Sequence, residues 1–170
     1  RLVSQQSVFI QIRASWDLSS YNPVFHQHGF RWHPRLNRLI DTTDHTQVLK
    51  GISASKRRQV KKSLKNGAMV IVPENLEQFR KFYLILRDLY RVKVRKPLPD
   101  WSFFKSFYDL SQEVPFFKIF LVEYNAKIIG GIMSPCYPGR AVFEWYVCGL
   151  DQDYKPRGIF PSVLATWAAI

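Results

Sequence analysis

The chain has 170 residues, is 46% hydrophobic and 15% aromatic, and carries 25 Lys and Arg against 13 Asp and Glu, a formal charge of +12. That length and apolar content suffice for one buried core and exclude a disordered tail, and two cysteines exclude a disulfide-knit scaffold. The charge is regional: residues 1–67 hold 12 cations against 3 acids, residues 68–170 hold 13 against 10, and such a field concentrates polyanions such as RNA, phospholipid headgroups or pyrophosphate-bearing metabolites without choosing among them.

In chain order, "SVFIQIRASW" predicts a strand with Val8, Ile10 and Ile12 on one face. "NPVFHQHGF" predicts a short helix or turn closed by Gly29, and "RLNRLIDTT" an imperfect strand pattern. A helix follows over about Ser55 to Asn66, with Ser53 or Ser55 as N-cap and Gly67 as its stop. "AMVIV" reads as a short buried strand. Pro73 then opens a helix to about Tyr90, with Leu76, Phe79, Phe82, Tyr83, Leu86, Leu89 and Tyr90 at three- and four-residue steps.

After "KVRKPLPD", a second amphipathic helix carries Trp101, Phe104, Phe107 and Tyr108 on one side. Three strands follow, "FFKIFLVEY", "KIIGGIMSPCY" and "RAVFEWYVCG", joined by tight turns at Asn125-Ala126 and Pro138-Gly139. "DQDYKPRGIF" leads into a helix that Pro161 starts. This order predicts an α/β sandwich, a sheet of mixed strand direction covered by the two aromatic-rich helices.

A tight turn at Pro138-Gly139 pairs Tyr137 with Arg140 and sets Cys148 beside Ile129, about 20 Å along the strand from Cys136 at roughly 3.3 Å per residue, too far for a disulfide. A reducing, cytoplasmic location is the default expectation. Uncharged runs such as Ile128 to Gly139 and Gly158 to Ile170 are shorter than the roughly 20 apolar residues of a spanning helix. The opening on Arg1 and the stop within "PSVLATWAAI" read as a piece of a longer protein.

The stretch "KGISASKRRQVKKSLKNG", Lys50 to Gly67, holds seven cations and no carboxylate. On a helical wheel Val60 and Leu64 define the inward side, and Arg58, Lys61, Lys62 and Lys65 fan out on the other, either as a solvated face or as a polyanion contact. Arg57 projects alongside Leu64 toward the body of the domain, where a guanidinium needs a carboxylate, a carbonyl or a ligand phosphate. A nuclear-targeting signal is the weaker reading, because these cations share a helix with apolar anchors.

In "DYKPRGIFPS", Arg157 and Gly158 precede a helix N-terminus, a natural anion site from backbone N–H groups and an arginine, or plain turn chemistry. Glu144 and Tyr146 share a strand face with Val142 and Cys148, opposite Phe143, Trp145 and Val147. Glu144 either pairs with Arg57 or Lys127 or lines a cleft as a base. His26, His28, His33 and His45 match no compact zinc spacing, so no metal is expected. No Ser-His-Asp pattern, GxGxxG, P-loop or RNA-recognition aromatic signature is present.

The run "SKRRQVKKSLKNGAMVIV", the two helices after it, and "FFKIFLVEYNAKIIGGIMS…AVFEWYVCGLDQDYKPRGIFPSVLATWAAI" resemble the Fem family of aminoacyl-tRNA-dependent peptidyltransferases, whose fold is similar to that of the GNAT acetyltransferases. The family pattern R-x-x-I-K-K-A-x-K-x-G falls on Arg57, Val60, Lys61, Lys62, Ser63, Lys65 and Gly67, with Val for Ile and Ser for Ala. The resemblance implies a GNAT-like mixed sheet flanked by helices and incomplete at both ends, with residues 1–45 the end of a first such domain and 46–170 most of a second.

It further implies transfer of an amino acid from aminoacyl-tRNA to an amine of a peptidoglycan precursor, nucleotide- or lipid-linked, without cofactor or metal and without a DNA partner, with room for peripheral contact with a membrane surface. Arg57, Arg58, Lys61, Lys62, Arg157 and Gly158 then hold substrate phosphates, and Glu144 or Tyr146 assists proton movement. "KPRGIFPS" lacks the fuller glycine-rich pyrophosphate loop of acetyl-CoA users. A related N-acyltransferase using acyl-CoA or acyl-carrier protein is the second reading, and a basic RNA-binding module the third.

Overall fold

The computed structural model describes residues 10–12, 17–33 and 39–170, and the chain divides into units 1–41 and 42–170. The first unit holds a 3-10 turn at Ser19–Tyr21 and helix α1, Asn22–Gln27, whose end Gly29 closes in the left-handed region at φ +79°. The predicted short helix is therefore present. Most of the strand expected over 7–16 and part of that over 35–43 lie outside the described residues; Ile10, Ile12, Leu39 and Ile40 are exposed and in no strand.

The second unit opens with helix α2, His45–Gly51, which sequence reasoning missed. Its start is fixed by Asp44, whose carboxylate accepts the N–H groups of Thr46 and Gln47. Helix α3, Ala54–Lys65, takes Ser53 as N-cap and stops at Gly67, φ +90°. Strand β1 is Met69–Ile71; Met69 and Val72 are exposed, so the expected buried strand is a short edge strand. Helix α4, Leu76–Leu89, begins three residues after Pro73 because Asn75 accepts the Gln78 N–H as N-cap. Its C-terminal end continues as a π-helical turn, Tyr90–Val94, closed by Arg95 at φ +54°.

Helix α5, Trp101–Glu113, is capped by Asp100. Strands β2, Phe117–Tyr124, and β3, Lys127–Tyr137, form a hairpin across Asn125 and Ala126, both at positive φ. The third expected strand is broken into β4, Ala141–Val142, and β5, Tyr146–Gly149. Short helix α6, Asp151–Tyr154, a 3-10 turn at Lys155–Arg157 and helix α7, Pro161–Ala168, complete the order.

The sheet runs β1-β2-β3, with β4 and β5 both on the far side of β3. Every pairing in it is antiparallel, so the expected mixed strand direction is corrected. The short connections of β2 to β3 and β3 to β4 enforce this, since a parallel neighbour requires a long crossover. Along the strands successive residues alternate between two cores. Leu121, Met133 and Cys148 meet α4 and α5 through Phe79, Phe82, Leu86, Phe104 and Phe107. Val122, Ile129 and Ile132 meet α7 through Leu164 and Ala165, with Val60 of α3 packed alongside. The architecture is thus an antiparallel sheet between two helical layers.

Two register changes correct the expected pairing. The Pro138-Gly139 loop pairs Tyr137 with Ala141, one residue beyond the two-residue turn. Phe143 still donates its N–H to the Pro135 carbonyl, whereas Tyr146 faces Met133, so residues 144–145 together span the width of Ser134 alone. This bulge adds the second step, and Cys148 faces Gly131 instead of Ile129. The conclusion about the cysteines stands, since both are free thiols. Gly130 and Gly149, opposite each other, form the floor on which Pro161 lies; a Cβ on either would come within about 3 Å of the Pro161 ring.

Candidate functional site

Helix α3 is amphipathic, but its inward line is rotated from the expected one. Ser63 is fully buried and Val60 half-buried, whereas Leu64 is 47% exposed. A serine displaces a leucine from the interior because its hydroxyl has work there. Ser63 Oγ donates to the Gln59 carbonyl at 2.8 Å and accepts the Phe160 N–H at 2.9 Å, joining α3 to the start of α7.

Arg57 finds carbonyls. Its Nη1 donates to Leu49 O at 2.6 Å, Ile52 O at 2.6 Å and Lys50 O at 3.2 Å, the otherwise unpaired carbonyls at the end of α2. A cation at a helix C-terminus is also favoured by the helix dipole. The most prominent arginine of the sequence therefore clasps α2 to α3. Glu144 pairs with neither Arg57 nor Lys127 in the ion pairs of the described residues, which lie along α4, its π-helical extension and α5.

Arg58, Lys61, Lys62 and Lys65 are exposed on the outer side of α3. This cationic line continues onto the α6–α7 connection. The Lys62 stem lies against Gly158, Asn66 Nδ2 donates to the Arg157 carbonyl at 2.7 Å, and the Arg157 guanidinium stacks over the Tyr154 ring at 5.6 Å, with Lys155 exposed beside it. Sequence reasoning had Lys62 and Arg157 as separate candidates, and the fold joins them into one ridge.

The backbone at that junction is not the open anion nest expected from the sequence. Gly158 N–H donates to Lys155 O, Ile159 N–H to Tyr154 O and Phe160 N–H to Ser63 Oγ. Pro161 has no N–H, and Ser162 N–H donates to the Asp151 carboxylate at 3.3 Å. An internal anion, Asp151, already sits at the α7 N-terminus. Any anion held here meets the side chains of the ridge, since these amides are committed to the fold.

Glu144 and Tyr146 do not share a face. Glu144 Oε1 accepts from Thr166 Oγ1 of α7 at 3.3 Å, whereas Tyr146 turns to the other layer, its ring 5.3 Å from Phe104 and 6.1 Å from Tyr90. Trp145 packs on Phe103 of the same layer. The bulge breaks the two-residue alternation on which the common face rested. Burial, and secondarily Tyr90, holds the Tyr146 hydroxyl above the ordinary tyrosine value. A carboxylate and a protonated phenol thus flank an irregular sheet edge from opposite layers.

Ser63, Asn66, Asp151 and Thr166 were missed by sequence reasoning. Asn66 before Gly67 signals only a helix end, and nothing local marks the other three, whose partners lie 11 to 97 residues away. Among the described residues no helix is long and apolar enough to cross a membrane. No protein-family model matches this chain, and no curated protein matches it.

Proposed function

We propose that this chain belongs to a Fem-like N-acyltransferase with a GNAT-like domain over residues 46–170, taking its acyl group from aminoacyl-tRNA and passing it to an amine of a peptidoglycan precursor. The observation that carries this reading is the contrast at the α3–α7 junction. An exposed ridge of Arg58, Lys61, Lys62, Lys65, Lys155 and Arg157 lies beside a turn whose amides are consumed internally. A donor with an extended phosphate backbone is suited to a ridge of side chains. An acyl-CoA donor, whose compact pyrophosphate is best met by free backbone amides at a helix start, is less well served.

In this reading the amine nitrogen attacks the ester carbonyl, Glu144, on the α7 side of the sheet, takes the amine proton and returns it to the departing ribose oxygen of the tRNA, and Tyr146, in the opposite layer, takes no part in the step. Thr166 orients Glu144. The test is transfer of a labelled amino acid from charged tRNA to a muropeptide by the intact protein. Transfer from charged tRNA that falls in a Lys61→Glu, Lys62→Glu, Lys65→Glu variant supports the reading; transfer from acyl-CoA alone overturns it.

A further inference from the structure

Two buried side-chain oxygens among the described residues have no hydrogen-bond partner, Gln59 Oε1 on α3 and Ser134 Oγ on β3. Ser134 is fully buried, and an unmet hydroxyl in such a place lowers the stability of the fold. Native structures keep few such groups, and a task at a reactive site is one reason for keeping one.

The register shows what stands beside it. Met133 joins the α4–α5 core and Ile132 the α7 core, so Ser134, by strand alternation, faces α7. On the neighbouring strand Cys136 pairs with Val142, and the Phe143 N–H donates to the Pro135 carbonyl, so the same register continued by one step sets Ser134 opposite Glu144. Glu144 also faces α7, because its Oε1 accepts from Thr166 Oγ1. Cross-strand neighbours on one face have Cβ atoms about 4.5–5.5 Å apart, a gap that a glutamate and a serine side chain bridge. Lys118, the partner of Ser134 on β2, is exposed and makes no bond to the hydroxyl.

Glu144 itself is exposed, and among the described residues its carboxylate has a single hydrogen bond, from Thr166 at 3.3 Å. A general base has to be held within hydrogen-bond reach of the proton it takes. We propose that Ser134 is a positioning residue for Glu144: with substrate bound, Glu144 Oε2 accepts a bond from the Ser134 hydroxyl while Oε1 stays on Thr166. An ionised carboxylate has about four lone-pair sites, so two hydroxyl donors leave room for the amine proton. Substrate that displaces water from Glu144 strengthens its bond to the buried hydroxyl. The inference rests on the acyl-transfer reading, in which Glu144 is the base, and adds a second anchor to it.

Transfer kinetics and urea unfolding are measured on the intact protein for the parent, Ser134→Ala, Glu144→Gln and the double variant. Ser134→Ala is expected to lower kcat about tenfold or more. It leaves KM for charged tRNA within about twofold, since a group that aligns the base acts on the chemical step. Its urea midpoint is expected to equal or exceed that of the parent, because an unmet hydroxyl has been removed. In the Glu144→Gln background, Ser134→Ala is expected to cause no further loss of kcat.

Parent turnover in Ser134→Ala, a loss confined to KM, a lowered midpoint, or an equal loss in the Glu144→Gln background overturns the inference and leaves the acyl-transfer reading in place. Parent turnover in Glu144→Gln, or no transfer by the parent from any donor, overturns that reading and the inference with it.

Discussion

Ser63 and Phe160, 97 residues apart, are joined by a single hydrogen bond of 2.9 Å from the Phe160 N–H to a fully buried hydroxyl. The family pattern that this helix resembles has Ala at the position. Here Ser63→Ala strands a backbone N–H at the start of α7. The expected cost is about 1–3 kcal/mol, read from urea unfolding, with faster hydrogen exchange at the Phe160 amide. An unchanged midpoint would show that α7 is held by apolar packing alone.

Gly158 sits at φ +71° with the Lys62 stem and Asn66 Nδ2 where a Cβ would go. Gly158→Ala is expected to destabilise by roughly 1–2 kcal/mol from the backbone conformation alone. Removing the flexible Lys62 stem with Lys62→Ala is expected to recover only a minor part, which a double-mutant cycle on unfolding free energies measures.

The ridge predicts salt dependence. If Lys61, Lys62 and Lys65 each neutralise one phosphate of a bound RNA, their joint change to Glu flattens the slope of log affinity against log salt by roughly 2–3. Filter binding of tRNA over a salt series gives both slopes, and equal slopes would remove α3 from the contact.

Tyr146 holds its proton to higher pH in the fold than in the unfolded chain. The folded state therefore binds more protons than the unfolded state above about pH 10, so stability present in full below that pH is lost as pH rises through the folded-state value. Tyr146→Phe is expected to reduce this alkaline loss. Denaturant midpoints between pH 9 and 11.5 for both proteins, with tyrosinate absorbance followed alongside, provide the check.

The two thiols separate by burial. Cys148, fully enclosed and facing the Phe82 carbonyl, is pushed far above the ordinary thiol value, mainly by burial and also by Asp151. Cys136 is half-buried, its Sγ donating to the Pro115 carbonyl at 2.9 Å. A thiol reagent is expected to modify Cys136 in the native protein and Cys148 only after unfolding, as read by peptide mass. Native labelling at Cys148 would contradict the closed packing of α4 on β5.

What could be read from the sequence was local. Serine and glycine bounded α3, three- and four-residue steps marked the buried faces of α4 and α5, and two turn dipeptides located the β2–β3–β4 hairpins. Each depends on interactions within a few residues and so leaves a trace in the order of side chains. Helix α2 escaped notice because its short span carries little apolar periodicity and its end is completed by Arg57 from the next helix.

The candidate site was legible in part. The cations of α3 and the Arg157 turn stood out separately, but their continuity depends on Asn66 reaching a carbonyl 91 residues ahead. Glu144 and Tyr146 were visible as polar groups in an apolar strand, yet the two-residue alternation that joined them fails at a bulge created by pairing with Ser134 and its neighbours.

The sequence by itself determined the kinds of element, most of their boundaries and the sign of the surface charge, because propensity, capping and charge act over one or two turns of chain. Tertiary structure decided which side of α3 is buried, what Arg57 holds, that the turn amides are spent internally and that Glu144 and Tyr146 face different layers. Each of those depends on a donor, acceptor or packing partner brought from elsewhere in the chain, and no local pattern of residues encodes where that partner will stand.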